Sequence, residues 1–167
     1  METIDERVAE VQHARDEGVL MRALEDPCEA VRFAAVQHAR ADEGVLLRAL
    51  EDDGFEVRFA AVRHERATEA VLLRALEGAD WEVRWVAAQN PRASEAVLLR
   101  AAGDDDWRVR YAAAEHPRAP VEAIARAIVD PDWQVRRAAL ALPEPAQDPE
   151  PVEPAAVLEG PALEIAF

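Results

Sequence analysis

Lysine is missing altogether, and cysteine, serine, threonine and asparagine are nearly so. All 19 basic residues are arginine, against one Asn, one Ser and two Thr. Such a bias reads as the mark of a GC-rich genome, so arginine in place of lysine is not itself a functional signal. Cys28 stands alone and can close no internal disulfide. No apolar run approaches the roughly 18 residues that a membrane helix needs. Net positive charge is absent as well: the formal charge is −15, which repels nucleic acid and anionic membranes at long range. The opening stretch Met1 to Arg7 is acidic and has no apolar core, so no secretory signal is read there and a cytoplasmic location is expected. Catalytic patterns are lacking too. There is no glycine-rich phosphate loop, no His-Glu-x-x-His and no nucleophile beside a base. Ser94 and Thr68 read as helix caps, so the expectation is a non-enzyme with no cofactor and no metal.

What is present is a 26-residue period. Val-Arg recurs at Val31-Arg32, Val57-Arg58, Val83-Arg84, Val109-Arg110 and Val135-Arg136, at equal steps throughout. A second block keeps the register: Val45 to Leu50, Val71 to Leu76, Val97 to Ala102 and Ala123 to Ile128, with an earlier copy at Val19 to Leu24 in a first repeat one residue short. Within a unit, Val83, Val86 and Ala87 share one face of a helix running from Trp81 to Gln89. Its cap column is Asp80, Asp106 and Asp132, with Cys28 and Gly54 as substitutes. Pro91 and Pro117 end the helix at Asn90 and His116. A second helix starts after Asp42, Thr68, Ser94 or Pro120 and runs into an acidic loop. Thr3 and Glu6 suggest a capping box at the chain start. Helices of eight or nine residues do not persist alone in water, so stacking of neighbouring repeats must hold them.

The run Asp-Pro-Asp-Trp-Gln-Val-Arg-Arg-Ala-Ala at 130–139 resembles the helix start of bacterial HEAT-like repeats. The longer pattern at 80–93, with Asn90-Pro91 closing its helix, is similar to the leucine-rich repeat variant family. The resemblance covers residues 11 to about 142. It implies an all-α, right-handed α-solenoid of about five two-helix repeats, the second helix α or 3₁₀, and macromolecular binding as the general role. It also implies that a loop Asp and a helix Arg pair between neighbours, with Asp104 and Arg110 at the matching spacing. Variant repeats can accompany an iron–sulfur domain, but that requires a cysteine cluster and this chain has one cysteine.

The period also sorts the residues that invite chemistry. His13, His38, His64 and His116 occupy one column, with Asn90 in the gap. Stacked helices stand about 8–10 Å apart, too far for one zinc at about 2.0–2.1 Å from each nitrogen. A helix C-terminus suits them better, where Asn tolerates the left-handed conformation and His bonds the last carbonyls. Three arginine columns (Arg32/58/84/110/136, Arg40/66/92/118, Arg22/48/74/100/126) resemble a phosphate track, but acidic columns interleave them. Through residue 142 there are 28 acids against 19 arginines, a formal −9. A paired ladder is the stronger reading.

The aromatics form a double stripe. Phe55, Trp81, Trp107 and Trp133 open successive first helices, and Phe33, Phe59, Trp85 and Tyr111 hold the position one turn further on. Two readings stand: core stacked repeat on repeat, or a ridge facing a partner, since Trp, Tyr and Arg dominate binding hot spots. From Pro143 the repeat fades. Residues 143–167 hold six of the eleven prolines, six acids and no arginine, a Pro-rich tail that reads as an extended segment with an apolar end. It is read as a cap for the last repeat, a motif for a partner, or a processed segment. The organisation expected is a solenoid over 1–142 and a tail over 143–167. The function expected is a protein- or peptide-binding scaffold with the tail as cap or docking motif. The alternative is a HEAT-like nucleic-acid-binding or base-excision protein with an Arg- and Trp-lined groove.

Overall fold

A short polar side chain opens most of the helices in the computed structural model, which describes residues 2–140. The Thr3 hydroxyl accepts the Glu6 N–H while the Glu6 carboxylate accepts the Thr3 N–H, which is the anticipated capping box at the start of α1 (Ile4–Gln12). Asp16 caps α2 (Glu17–Ala23). Asp42, Thr68 and Ser94 accept the N–H of Val45, Val71 and Val97 at the starts of α4 (Glu43–Ala49), α6 (Glu69–Ala75) and α8 (Glu95–Ala101). Pro120 precedes α10 (Val121–Ile128), where no side chain caps. The other members are α3 (Glu29–Gln37), α5 (Phe55–Arg63), α7 (Trp81–Gln89), α9 (Trp107–Glu115) and α11 (Trp133–Leu140). The second helix of each repeat is thus α and not 3₁₀.

The odd-numbered helices stack in one layer, each on the next, and the even-numbered ones form a second layer beside them. Val31, Val57, Val83, Val109 and Val135 point between the layers, as do Leu20, Leu46, Leu72 and Leu98, all with 3% exposure or less. The column Ala35, Ala61, Ala87 and Ala113 is fully buried, and its small side chains let neighbouring helices approach closely. Among the described residues the chain is an all-α repeat solenoid with eleven helices and no strand. The core consists of Ala, Val and Leu; none of the eight stripe aromatics is in the fully buried set. That single fact puts every one of them on or near the surface. No helix among the described residues is long and apolar enough to cross a membrane. The boundary at residue 142 and the Pro-rich tail over 143–167 lie outside the described residues.

Charge pairs tie one repeat to the next, in a register that differs from the expected one. Arg110 donates from Nε and Nη2 to both carboxylate oxygens of Asp130 (2.7 and 3.0 Å) and from Nη1 to the main-chain oxygens of Asp104 and Asp105 (2.9 Å each). The Asp104 carboxylate instead takes Arg84 (2.8 and 3.0 Å), and Asp52 takes Arg32 in the same way. The arginine therefore clamps its own loop through carbonyls and the following loop through a carboxylate. An Asp six residues upstream of its arginine presents its backbone there, because its side chain is turned to the preceding repeat and to the N–H two residues on. Burial works against ionisation of Asp130, but the Arg110 guanidinium and the Asp132 N–H outweigh it and hold its pKa below the usual carboxylate value.

The histidine column also differs from its expected geometry. Asn90 is not left-handed: its φ −61°, ψ 127° match those of His64 and His116. Its Oδ1 accepts the Arg92 N–H (2.9 Å) and its Nδ2 donates to the Val62 carbonyl (2.9 Å). His64 and His116 do the same with a ring: Nδ1 accepts the N–H two residues on (3.1 Å) and Nε2 donates to the carbonyl of His38 or Asn90 in the preceding repeat (3.2 Å). The side chain substitutes for the backbone bond that a left-handed cap would have made. Only His13, at the end of α1, bonds a carbonyl of its own last turn, that of Ala9 (2.7 Å).

Candidate functional site

Helix geometry decides where the aromatics go. In α7, Val83, Val86 and Ala87 face the core, which leaves Trp81 and Trp85, four residues apart, on the adjoining outer face with Glu82. Because each odd helix repeats this pattern one period later, the outer faces line up into rows. Trp81, Trp107 and Trp133 form one row; Phe59, Trp85 and Tyr111 form the other. All are half-buried, and Phe55 is 36% exposed. Phe33, Phe59 and Trp85 lean on the main core, while Trp107 and Tyr111 lean on the smaller cluster around Val135. One side of each of these five rings is thereby fixed by packing, while none of the five is fully buried.

Between the rows lies an open groove of about 470 Å³, walled by Phe55, Phe59, Trp81, Trp85, Trp107 and Tyr111 and rimmed by Glu82, Arg108, Gln134 and Arg137. Its lining is almost wholly apolar. Phe55 and Phe59 meet at 5.6 Å between ring centroids with planes tilted by 36°. The guanidinium of Arg108 sits over both Trp81 (4.3 Å) and Trp107 (5.2 Å), and its Nη1 is 3.2 Å from the Asp106 carboxylate. Arg137 lies 5.5 Å over Trp133, and Arg63 lies 5.5 Å over Phe59. Cations are held on ring faces by the aromatic quadrupole, so Arg108 bridges Trp81 and Trp107 at the edge of the groove. The Tyr111 hydroxyl donates to Glu115 at 3.0 Å. Burial first, then that carboxylate, raises the Tyr111 pKa, while Arg137 pulls the other way.

The structure gathers six of the eight expected residues into this groove. Phe33 falls outside it, in a neighbouring cleft with Gln37, Glu56, Phe59 and Arg63, and Trp133 stands just beyond the other end under Arg137. None of the four rim residues, Glu82, Arg108, Gln134 and Arg137, was expected from the sequence. The signal for them exists in the repeat register. Arg137 holds the fifth place in the column Phe33, Phe59, Trp85, Tyr111, and Arg108 follows Glu56 and Glu82 in theirs.

The histidine column and the first arginine column are committed to the fold, while Arg66, Arg92 and Arg118 of the second arginine column lie exposed. The histidines bond backbone groups, and among the described residues no cluster of three or more His, Cys, Asp or Glu is placed to hold a metal ion. Arg32, Arg58, Arg84 and Arg110 are bound to aspartates and carbonyls. On the even-numbered helices Arg74 pairs with Glu77 (3.0 Å) and Arg126 with Glu122 (2.6 Å), both in solvent. Cys28, half-buried, occupies the cap position of α3 without a side-chain bond.

No family model and no curated protein matches the chain. Among solved structures it is similar to one described as a leucine-rich repeat variant with a novel repetitive protein structural motif. The two share 30% identity and superpose with a TM-score of 0.66 over 83% of this chain, which spans 55% of that chain's length.

Proposed function

This chain is a helical repeat protein of the leucine-rich repeat variant type, and from that premise we propose that it is a non-enzymatic binding module whose aromatic groove takes an extended segment of a protein or peptide partner. One observation carries the reading: six aromatic side chains from three consecutive odd helices, α5, α7 and α9, line one open apolar channel. A concave apolar channel lined by converging rings, with a few polar groups at its edge, is the kind of surface at which ligands bind. Rigid rings with one edge anchored lose little conformational freedom on binding, and Trp, Tyr and Arg are the residues that dominate hot spots. Straight rows at repeat spacing suit an extended ligand better than a compact one. The nucleic-acid alternative draws less support, because four successive ladder arginines are already engaged by aspartates and carbonyls and the formal charge is −15. Phosphate neutralisation needs cations that are free to replace counterions.

All four tryptophans lie in or at the end of the groove, so their emission reports directly on its occupancy. A panel of twelve-residue peptides screened against the full chain by tryptophan fluorescence is expected to yield binders. Trp85→Ala is then expected to weaken the best of them by about 30-fold, the equivalent of roughly 2 kcal/mol, while the helical circular dichroism is unchanged. A Trp85→Ala/Tyr111→Ala chain that remains folded and binds that peptide as well as the parent does would refute the groove. A single-stranded or duplex DNA shift at low salt, sensitive to the same substitutions, would favour the alternative.

A further inference from the structure

The groove is open at Arg137 and Trp133, on the last described helix, and the chain runs on from Leu140 to Phe167. The first long stretch there is Pro-Glu-Pro-Ala-Gln-Asp-Pro-Glu-Pro-Val-Glu-Pro at 143–154, with five prolines and four acids. Such a composition favours the polyproline II helix, which has three residues per turn. At that period the segment sorts into three edges. Pro143, Ala146, Pro149 and Val152 share one; Pro145, Asp148, Pro151 and Pro154 share the second; Glu144, Gln147, Glu150 and Glu153 share the third. Two edges are mainly proline and apolar, and one is acidic. Aromatic-lined grooves are the surfaces on which proline-rich helices dock, because the ligand is stiff before it binds and its rings lie flat against indole and phenol faces.

Resting on the peptide-groove reading above, we propose that residues 143–154 occupy the aromatic groove of their own chain, and that a partner binds by presenting the same chemistry, an extended proline-rich acidic segment, and displacing them. Length agrees. Three helix-to-helix steps of about 8–10 Å separate Trp133 from Phe55, about 30 Å in all, and twelve residues at about 3.1 Å each reach about 37 Å. Charge agrees where the segment would enter, since Arg137 and Arg108 lie at that end of the groove, facing an acidic edge. Glu56 and Glu82 lie farther along, toward the Phe55 end, where they would oppose Glu150 and Glu153, so the attraction acts at the entry and the tether alone sets the direction of threading. Tethering does the rest. A short linker holds its segment at an effective concentration of order millimolar, so a free-peptide Kd of about 0.1 mM already leaves the groove about 90% filled in cis.

The four indoles make the test direct. In the full chain carrying Cys28→Ser, a nitroxide is placed at Ala146→Cys in one sample and at Val152→Cys in another, and broadening of the four indole N–H resonances is measured. Threading requires a shift of pattern: the label at 146 broadens Trp133 and Trp107 most, and the label at 152 broadens Trp85 and Trp81 most. The broadening must also be the same on tenfold dilution. A segment that does not dock broadens Trp133 most from both positions, and that outcome overturns the proposal. Broadening that vanishes on dilution places the segment in a second copy's groove and likewise overturns it. Replacing Pro143, Pro145, Pro149, Pro151 and Pro154 by Ser in the full chain is expected to shift tryptophan emission to the red and to be reversed by adding synthetic peptide 143–154. Running the peptide panel on that same chain separates the two failures. If the labels show no threading yet the panel still gives Trp85-dependent binders, only the self-occupancy falls; if the panel gives none, the groove reading falls with it.

Discussion

A histidine and an asparagine do one job in this protein, and the exchange shows what the column requires. At His64, as at Asn90, a side-chain acceptor takes the N–H two residues on and a donor reaches a carbonyl of the preceding repeat. The ring does this only when neutral, with its proton on Nε2. Burial lowers the His64 pKa, and the His38 carbonyl offsets part of that shift. A histidine with a lowered folded pKa contributes stability that is whole above the unfolded value of about 6.5 and is lost as pH falls from there toward the folded pKa. His64→Asn cannot be protonated in this range. The variant is expected to flatten the decline in Tm between about pH 7 and pH 5 that the parent shows at this position, as read by differential scanning calorimetry at matched ionic strength. An unchanged slope would mean that His64 is not a titrating link. Arg108 makes a complementary point at the same scale: a residue unremarkable in sequence is held on two indoles by geometry alone.

Among elements, α3, α5, α7 and α10 start without a side-chain cap, and of these α7 alone has an aspartate, Asp80, in the cap position. The loop column Asp26, Asp52, Asp104 and Asp130 is broken by Gly78. Lacking that carboxylate, Arg58 turns to Asp80 two residues further on (2.7 Å), and Asp80 in consequence makes no capping bond to α7. Its carboxylate is 32% exposed where those of Asp52 and Asp104 are 7% and 5% exposed. One glycine thus weakens both a ladder rung and a helix cap. Gly78→Asp is expected to restore both and to raise Tm by about 2–4 °C, the equivalent of roughly 1 kcal/mol. The added Cβ meets the Ala75 carbonyl at 3.2 Å, so a fall in Tm would show that the turn cannot yield the few tenths of an ångström required. Most of the elements were legible beforehand, because caps, prolines and the 26-residue register are local signals. The partner of Arg110 was not: Asp104 is nearer in sequence, but its carboxylate faces backward along the solenoid and only its carbonyl faces Arg110.

For the whole molecule, stability resides in the interfaces between repeats, since each helix is too short to stand by itself. The Arg84–Asp104 pair joins two such units and is largely withdrawn from water, with side chains 15% and 5% exposed. Arg84→Ala leaves a buried carboxylate without its counter-charge, which costs about 3–5 kcal/mol. In urea this is expected to appear as an unfolding midpoint well below that of the parent, and far larger than the loss from Arg74→Ala on the solvated face, where exposed pairs contribute about 1 kcal/mol or less. Equal losses from the two would put the ladder on the same footing as the surface pairs.

The 26-residue register, the two-helix unit, the caps and the core columns all followed from residue order, because each depends on neighbours one or two turns away. Whether the eight aromatics were core or surface did not. Trp81 and Trp85 sit beside the Val83/Ala87 face, and a helical wheel alone leaves that flank undetermined. The layers close over Val, Leu and Ala, with small alanines bringing adjacent helices together, and no room for a ring is left between them. The aromatics are therefore pushed to the outer edge of the odd-numbered layer, where stacking brings side chains one and two periods apart into one channel. Only packing between repeats decides that, since no single repeat contains the groove.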